Sequence, residues 1–205
     1  MQHKLEAVGV RSVALAGDVG DPEVCARLIE ETVKHFGTID ILVNNAGIIR
    51  RAPAVDYSEE DWKAVIDVNL TSVFLLTQHA GRHMLKRGSG KIINIASLLT
   101  FQGGILVPAY AAAKGGVGQL TKAFANEWAA KGVNVNAIAP GYMDTDNTEA
   151  LKKNPERARQ ILERIPAGRW GNPDDLAGAA VFLASSASDY VHGHVLVVDG
   201  GWLNR

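Results

Sequence analysis

Residues 39–47 read Ile-Asp-Ile-Leu-Val-Asn-Asn-Ala-Gly, an apolar run that ends in a polar turn. A short apolar run bounded by turn residues predicts a buried β-strand. Similar runs occupy residues 13–16, 91–96, 133–138 and 194–198, and segments with helical spacing separate them. Nearly continuous apolar strands that alternate with helices indicate an α/β fold, in which helices cover both faces of a parallel sheet.

Capping residues mark where the predicted helices begin and end. Asp21 followed by Pro22 starts a helix that Gly37 ends, and Ser58 starts another. Further helices are predicted over residues 70–86, 110–130, 154–165 and 173–185, and residues 5–9 have the pattern of a helix end. The carboxyl ends of the predicted strands should therefore meet at one edge of the sheet, where such folds bind ligands.

Composition limits the classes of function. The chain has 205 residues, 47% of them hydrophobic, and 21 basic against 22 acidic residues, so no charge excess favours a nucleic-acid or membrane partner. No apolar run reaches the ~20 residues of a membrane span. Cys25 is the one cysteine, which fits packing in a helix and a reducing compartment. We therefore predict a single cytoplasmic domain over residues 1–205.

A tyrosine and a lysine on one predicted helix form a candidate acid/base pair. Lys114 lies four residues after Tyr110, so the two side chains share a helix face. A phenol titrates near ~10, and a neighbouring cation favours the phenolate. Ser97 follows the strand predicted at residues 91–96. The alternative is an ordinary surface pair with an ordinary turn serine.

Seen together, several short motifs resemble the short-chain dehydrogenase/reductase family over nearly the whole chain. They are Asn44-Asn45-Ala46-Gly47, Asn69, Ser97, Tyr110 with Lys114, and Pro140-Gly141 with Thr145. The resemblance implies a Rossmann-like doubly wound parallel sheet and an oxidoreductase that transfers a hydride. It also implies a homo-oligomer, a dimer or homotetramer, built on the helices over residues 70–86 and 110–130.

The resemblance assigns the catalytic roles. Tyr110 would be the general acid/base that exchanges the hydroxyl proton, and Lys114 would lower its pKa and hold the cofactor ribose. Ser97 would orient the reacting oxygen, and Asn69 would help to hold a water that relays the proton. For Asn69 the alternative is a helix-kink or capping residue.

The resemblance also implies an NAD cofactor, with NADP not excluded. Asp18 and Val19 would border the adenine, and Asn44 and Ala46 the ribose, where Tyr110 and Lys114 also belong. The nicotinamide side would be formed by Pro140, Gly141, Met143 and Thr145. Ordinary strand-ending turns are the alternative for Asp18 and Asn44.

Runs at residues 140–143, 164–171 and 185–190 are most similar to family members that act on sugar acids. Gluconate dehydrogenases and 3-oxoacyl reductases share much of these runs, so they leave the substrate open. A sugar acid carries a carboxylate, and the candidate partners are Arg50, Arg51, Arg169 and His192. A solvated surface charge is the alternative for each.

One family motif is absent from the sequence. The family has a turn of the form T-G-x-x-x-G-x-G, which brings backbone amides to the cofactor pyrophosphate. We therefore expect a fold that lacks the first βαβ unit, in a chain that is a fragment of a longer one. The alternatives are that the strand at residues 13–16 pairs directly with the strand before Asn44 or that it is displaced. A truncated subunit without catalysis or cofactor binding is the alternative function.

Overall fold

Four parallel strands form the sheet of the computed structural model, which describes residues 2–205, with side chains from residue 5 onward. The strands lie side by side in the order of the chain, and Asn44 of the first strand aligns with Asn94 of the second. The third strand is central and buried almost throughout, which explains its continuous apolar sequence. The strands are β1 Ile41–Asn44, β2 Gly90–Ile95, β3 Val133–Pro140 and β4 Val195–Val198.

The helices follow the predicted alternation. Asp21 caps the second helix by accepting the Glu23 N–H (2.9 Å), and Gly37 ends it in the left-handed conformation. The helix predicted over residues 173–185 is a 3₁₀ turn followed by an α-helix, and one short helix was not predicted. The helices are α1 Gln2–Ala7, α2 Pro22–Phe36, α3 Glu59–Ile66, α4 Ser72–Arg87, α5 Pro108–Trp128, α6 Asp146–Lys152, α7 Pro155–Arg164 and α8 Ala177–Ala184.

Apolar side chains cover both faces of the sheet, as predicted. On one face Ile92 and Val135 pack against α2, α4 and α5, and the buried Cys25 belongs to the same cluster. On the other face Ile93 and Ile138 pack against Leu183 of α8. Adjacent strand residues thus point into different halves of the core.

The prediction of a strand at residues 13–16 is wrong. Residues 8–17 have no regular structure, and two hydrogen bonds join them to α2. Arg27 of α2 donates to the Ala16 carbonyl (2.7 Å), and Arg11 of the segment donates to the His35 carbonyl of α2 (3.1 Å). The segment is displaced rather than re-paired with β1. A strand needs a neighbouring ladder of hydrogen bonds, and within residues 2–205 β1 pairs only with β2.

Among residues 2–205, no helix combines the length and the apolar character that crossing a membrane requires.

Candidate active site

The carboxyl edge of the sheet collects the loops that carry the candidate residues. β1 ends at Asn44, and β2 is followed by Ser97 at the start of a 3₁₀ turn. β3 ends at Pro140, and β2 and β3 align through Ile95 and Ile138. In parallel sheets this edge is the ligand-binding side.

Tyr110 lies in the first turn of α5, with Lys114 one turn further along. The Lys114 Nζ is 5.6 Å from the centre of the Tyr110 ring. Burial raises the pKa of Tyr110, whereas the side-chain hydrogen bond of Ser97 and the charge of Arg51 lower it. The family resemblance predicts this lowering from Lys114. In the structure the opposing influences come from Ser97 and Arg51.

Lys114 is 4% exposed, and its ammonium group donates to the Ile95 carbonyl at the end of β2. Because burial disfavours the charged form, the pKa of Lys114 falls from 10.5 to about 8. An amine with this pKa is close to its titration range at neutral pH. It can therefore both take up and release a proton.

Ser97 is held by its own turn. Its Oγ accepts the Leu99 N–H (3.2 Å), which leaves the hydroxyl hydrogen to donate. Thr100, which was not predicted from the sequence, connects Ser97 with Lys114. Its hydroxyl accepts the Ser97 N–H (3.3 Å) and donates to the Lys114 carbonyl (2.9 Å). The contact between Thr100 and Lys114 could not be predicted from sequence spacing, because an irregular loop separates the two residues.

Asn69 is fully buried in a π-helical turn, Asp67–Thr71, between α3 and α4. Its Oδ1 accepts the Ile48 N–H (2.8 Å), and its Nδ2 donates to the Ile48 carbonyl (2.8 Å). This double contact clamps the loop that follows β1. The geometry gives Asn69 a structural role, and the water relay stays a prediction.

Asn44 belongs to a buried polar network. Its Nδ2 donates to Asn94 Oδ1 (2.8 Å) and to Thr77 Oγ1 (3.1 Å), and Asn94 donates to Thr121 Oγ1 (3.0 Å). Asn44 Oδ1 is buried without a partner among the described residues. The loop residue Ala46, in contrast, is exposed.

The nicotinamide-side candidates line one wall of the edge. Gly141 donates its N–H to the Val198 carbonyl (2.9 Å), and a Cβ there would lie 2.6 Å from Asp199 Cα, so only glycine fits. Met143 is buried and forms a bridge with Gly171. Gly141 and Met143 line a pocket of about 220 Å³, and Tyr110 is not among its lining residues. Pro140 precedes this wall, and the exposed Thr145 caps α6 after it.

The adenine-side candidates have mainly structural contacts. The exposed Asp18 accepts the Gly20 N–H (2.9 Å) in a tight turn, and Val19 packs against the core while its carbonyl accepts from Cys25 Sγ (3.2 Å). Residues 45–47, which follow β1 at the carboxyl edge, are exposed, and the ribose contact at Ala46 stays a prediction. Among the described residues, no turn of the form T-G-x-x-x-G-x-G is present for the pyrophosphate.

Three of the four proposed carboxylate partners are engaged elsewhere. Arg50 lies 3.4 Å from Asp61, and Arg169 holds both oxygens of Asp175 (2.7 and 2.9 Å). His192 contacts Asn134, near the amino end of β3 and thus away from the carboxyl edge (3.3 Å).

Arg51 is the fourth candidate. It donates one hydrogen bond, to the Asn147 carbonyl (3.0 Å), and its charge acts on Tyr110. It is therefore the arginine that the structure brings to the acid/base residue.

Comparison with known proteins agrees with this architecture. A family model described as enoyl-(acyl carrier protein) reductase matches residues 1–203. A 2-dehydro-3-deoxy-D-gluconate 5-dehydrogenase of Bacillus subtilis is 60% identical over 204 residues, which are 100% of this chain and 80% of that protein. The enzyme of the same name from Escherichia coli is 54% identical over 203 residues, 98% of this chain and 80% of its own.

A solved structure extends the agreement to the fold. The crystal structure of a gluconate 5-dehydrogenase from Burkholderia cenocepacia, in complex with NADP and tartrate, has a TM-score of 0.95 and 43% identity. The match covers 99% of this chain and 80% of that one.

The parallel sheet and the similarity to these enzymes thus define an oxidoreductase with a Rossmann-like fold. The chain belongs to the short-chain dehydrogenase/reductase family. This confirms the family, fold class and enzyme class predicted from the sequence. The resemblance to enzymes that act on sugar acids is confirmed by the relatives named 2-dehydro-3-deoxy-D-gluconate 5-dehydrogenase.

Proposed function

We propose that this chain transfers a hydride between a secondary hydroxyl of a sugar acid and NAD or NADP. The substrate would be of the 2-dehydro-3-deoxy-D-gluconate or 2-deoxy-D-gluconate type, with gluconate as the alternative. The observation that carries the proposal is the group formed by Tyr110, Ser97 and Lys114 at the carboxyl edge of the sheet. The names of the similar enzymes support the substrate class, and the NADP in the related crystal structure supports the cofactor class.

Each residue has a defined task in this reaction. The nicotinamide ring, when bound, supplies or accepts the hydride. Tyr110 exchanges the hydroxyl proton at its phenolic oxygen, and the neighbouring Ser97 hydroxyl would orient the reacting oxygen. Since burial raises the pKa of Tyr110, its phenol is protonated in the free chain and ready to donate during ketone reduction.

Oxidation of the hydroxyl requires the phenolate. The Ser97 hydrogen bond and the Arg51 charge both favour it because they lower the pKa of Tyr110. Lys114, whose pKa is about 8, would take up and release the proton that passes beyond Tyr110.

Arg51 would bind the substrate carboxylate. Its guanidinium has five N–H donors, and one of them is used by the Asn147 carbonyl. The remaining donors suit a planar two-point contact with a carboxylate. The same contact would place the substrate chain next to Tyr110.

The test is turnover by the purified chain, with hexonate and NAD⁺ or NADP⁺, measured by the absorbance of the reduced nicotinamide. Wild type should reduce the cofactor, and Tyr110→Phe should lose about 10²-fold to 10⁴-fold in kcat. Tyr190→Phe, at a fully exposed position, is the matched control.

Full activity of Tyr110→Phe would refute the proton-transfer role. Absence of cofactor binding by folded wild-type chain would instead favour the alternative of a non-catalytic subunit. Calorimetric titration with both nucleotides distinguishes these two results.

A further inference from the structure

Leu106, in the loop between Ser97 and Tyr110, has an unusual backbone conformation. Its φ is +65°, and over residues 2–205 it is the one residue other than glycine with a positive φ. This conformation is unfavourable for a residue with a branched carbon side chain. Such strain persists only where surrounding contacts impose it, and it is concentrated at functional sites.

The side chain of Leu106 does not explain the strain. It is 46% exposed, so core packing does not require this backbone angle. The backbone is instead held on both sides. The Leu106 carbonyl accepts the Ala52 N–H (3.1 Å), and the next residue, Val107, is buried and precedes Pro108, the first residue of α5. We therefore relate the positive φ to the orientation of the Leu106 carbonyl, which accepts the Ala52 N–H.

The carbonyl of Leu106 is one of the anchors on the loop that carries Arg51, which Tyr57 also contacts at the Arg50 carbonyl (3.3 Å). Asn69 clamps the loop at Ile48, and Leu106 holds it at Ala52. Arg51 immediately precedes the second anchor. Leu106 itself lies four residues before Tyr110 and leads directly into the helix that bears it.

We propose that Leu106 is a positioning residue, whose left-handed backbone fixes Ala52, and with it Arg51, relative to Tyr110. Its kinetic consequence rests on the proposed function, whereas its structural consequence does not. The charge of Arg51 lowers the pKa of Tyr110, and this effect weakens with distance. Loss of the anchor should therefore change both substrate binding and the pH dependence of the reaction.

Two substitutions of similar size separate the backbone from the side chain. Leu106→Asn removes the leucine but tolerates the left-handed conformation, whereas Leu106→Val removes it and disfavours that conformation. Leu106→Ala is a milder second variant that also disfavours it. All three variants change a half-exposed loop position.

The first measurement is amide hydrogen exchange in the chain without cofactor. In wild type and Leu106→Asn the Ala52 amide should be protected, whereas in Leu106→Val it should exchange about tenfold faster or more, because its acceptor has moved. Leu106→Ala should be intermediate. The amide of Val135 in the buried β3 shows in each variant that the sheet is intact.

The second measurement is steady-state kinetics with the sugar acid. Leu106→Val should raise KM about tenfold or more and shift the pKa seen in kcat/KM upward, and Leu106→Asn should match wild type. Equal Ala52 exchange in the Asn and Val variants would overturn the proposal, even if wild type shows no turnover. Absence of wild-type turnover alone would refute the proposed function and leave the exchange result to decide the role of Leu106.

Discussion

Lys114→Met should remove a pH dependence of folding stability that the buried ammonium causes. Burial lowers the pKa of Lys114 from 10.5 to about 8, whereas in the unfolded chain the side chain titrates normally. Between these two pH values the unfolded chain binds more protons than the folded one. The stability of wild type therefore rises with pH across this window, and the full cost of burying the charge is present below about pH 8.

The magnitude follows from the difference between the two pKa values, which corresponds to about 3 kcal/mol. Methionine keeps a similar length without the charge, but it loses the hydrogen bond to the Ile95 carbonyl. That loss costs about 1–3 kcal/mol and does not depend on pH. The free energy of unfolding of wild type, relative to Lys114→Met, should thus increase by about 3 kcal/mol between about pH 7 and pH 10.5.

The assay is urea unfolding at several pH values across this range, in the absence of cofactor. Lys122→Met is the matched control, since Lys122 is exposed on the same helix. Its stability should run parallel to that of wild type. If the curve for Lys114→Met were also parallel to wild type, the reasoning from desolvation of a charged Lys114 would be refuted.

Three further substitutions test the supports of the site. Asn69→Ala should lower the free energy of unfolding by about 2–4 kcal/mol, because both hydrogen bonds to Ile48 are lost, and chemical denaturation measures this. Gly141→Ala should destabilise the chain by more than 1 kcal/mol, since the new Cβ would meet the Asp199 backbone at 2.6 Å; an unchanged melting temperature would contradict this. Hydrogen bonds from Arg169 and from a backbone N–H lower the pKa of Asp175 to about 2, so wild type should lose stability as the pH falls from about 4 to about 2. Asp175→Asn should not show this loss. Acid titrations followed by circular dichroism measure the difference.

Most of the fold could be predicted because its signals are local. Asp21 and Ser58 cap the helices that they were expected to start, and four of the five predicted strands form. The segment at residues 13–16 has an equally apolar sequence, but a strand also depends on a partner elsewhere in the chain. Helix α6 was missed because the sequence of residues 146–152 is polar at most positions and has little apolar periodicity.

The candidate site was predictable where residue types form a family pattern, as for Tyr110, Lys114 and Ser97. From the sequence, four residues were equally good candidates to bind a substrate carboxylate. Arg51 is distinguished only in the structure, where the other three contact Asp61, Asp175 and Asn134. Leu106 has no sequence signal at all, because leucine does not favour a positive φ. Such residues can be found only from the backbone itself.

The buried asparagines of β1 and β2 have a consequence for how the chain avoids misfolding. Both strands are rich in Ile, Leu and Val, which would pack almost equally well if one strand slid along the other. Asn44 and Asn94 are aligned and joined by a hydrogen bond on the face that Thr77 and Thr121 also reach. A slip of one residue would turn one amide to the opposite, apolar face and leave both amides without a partner. The asparagines therefore penalise every wrong alignment, and the polar pair, rather than the apolar majority, makes this pairing unique.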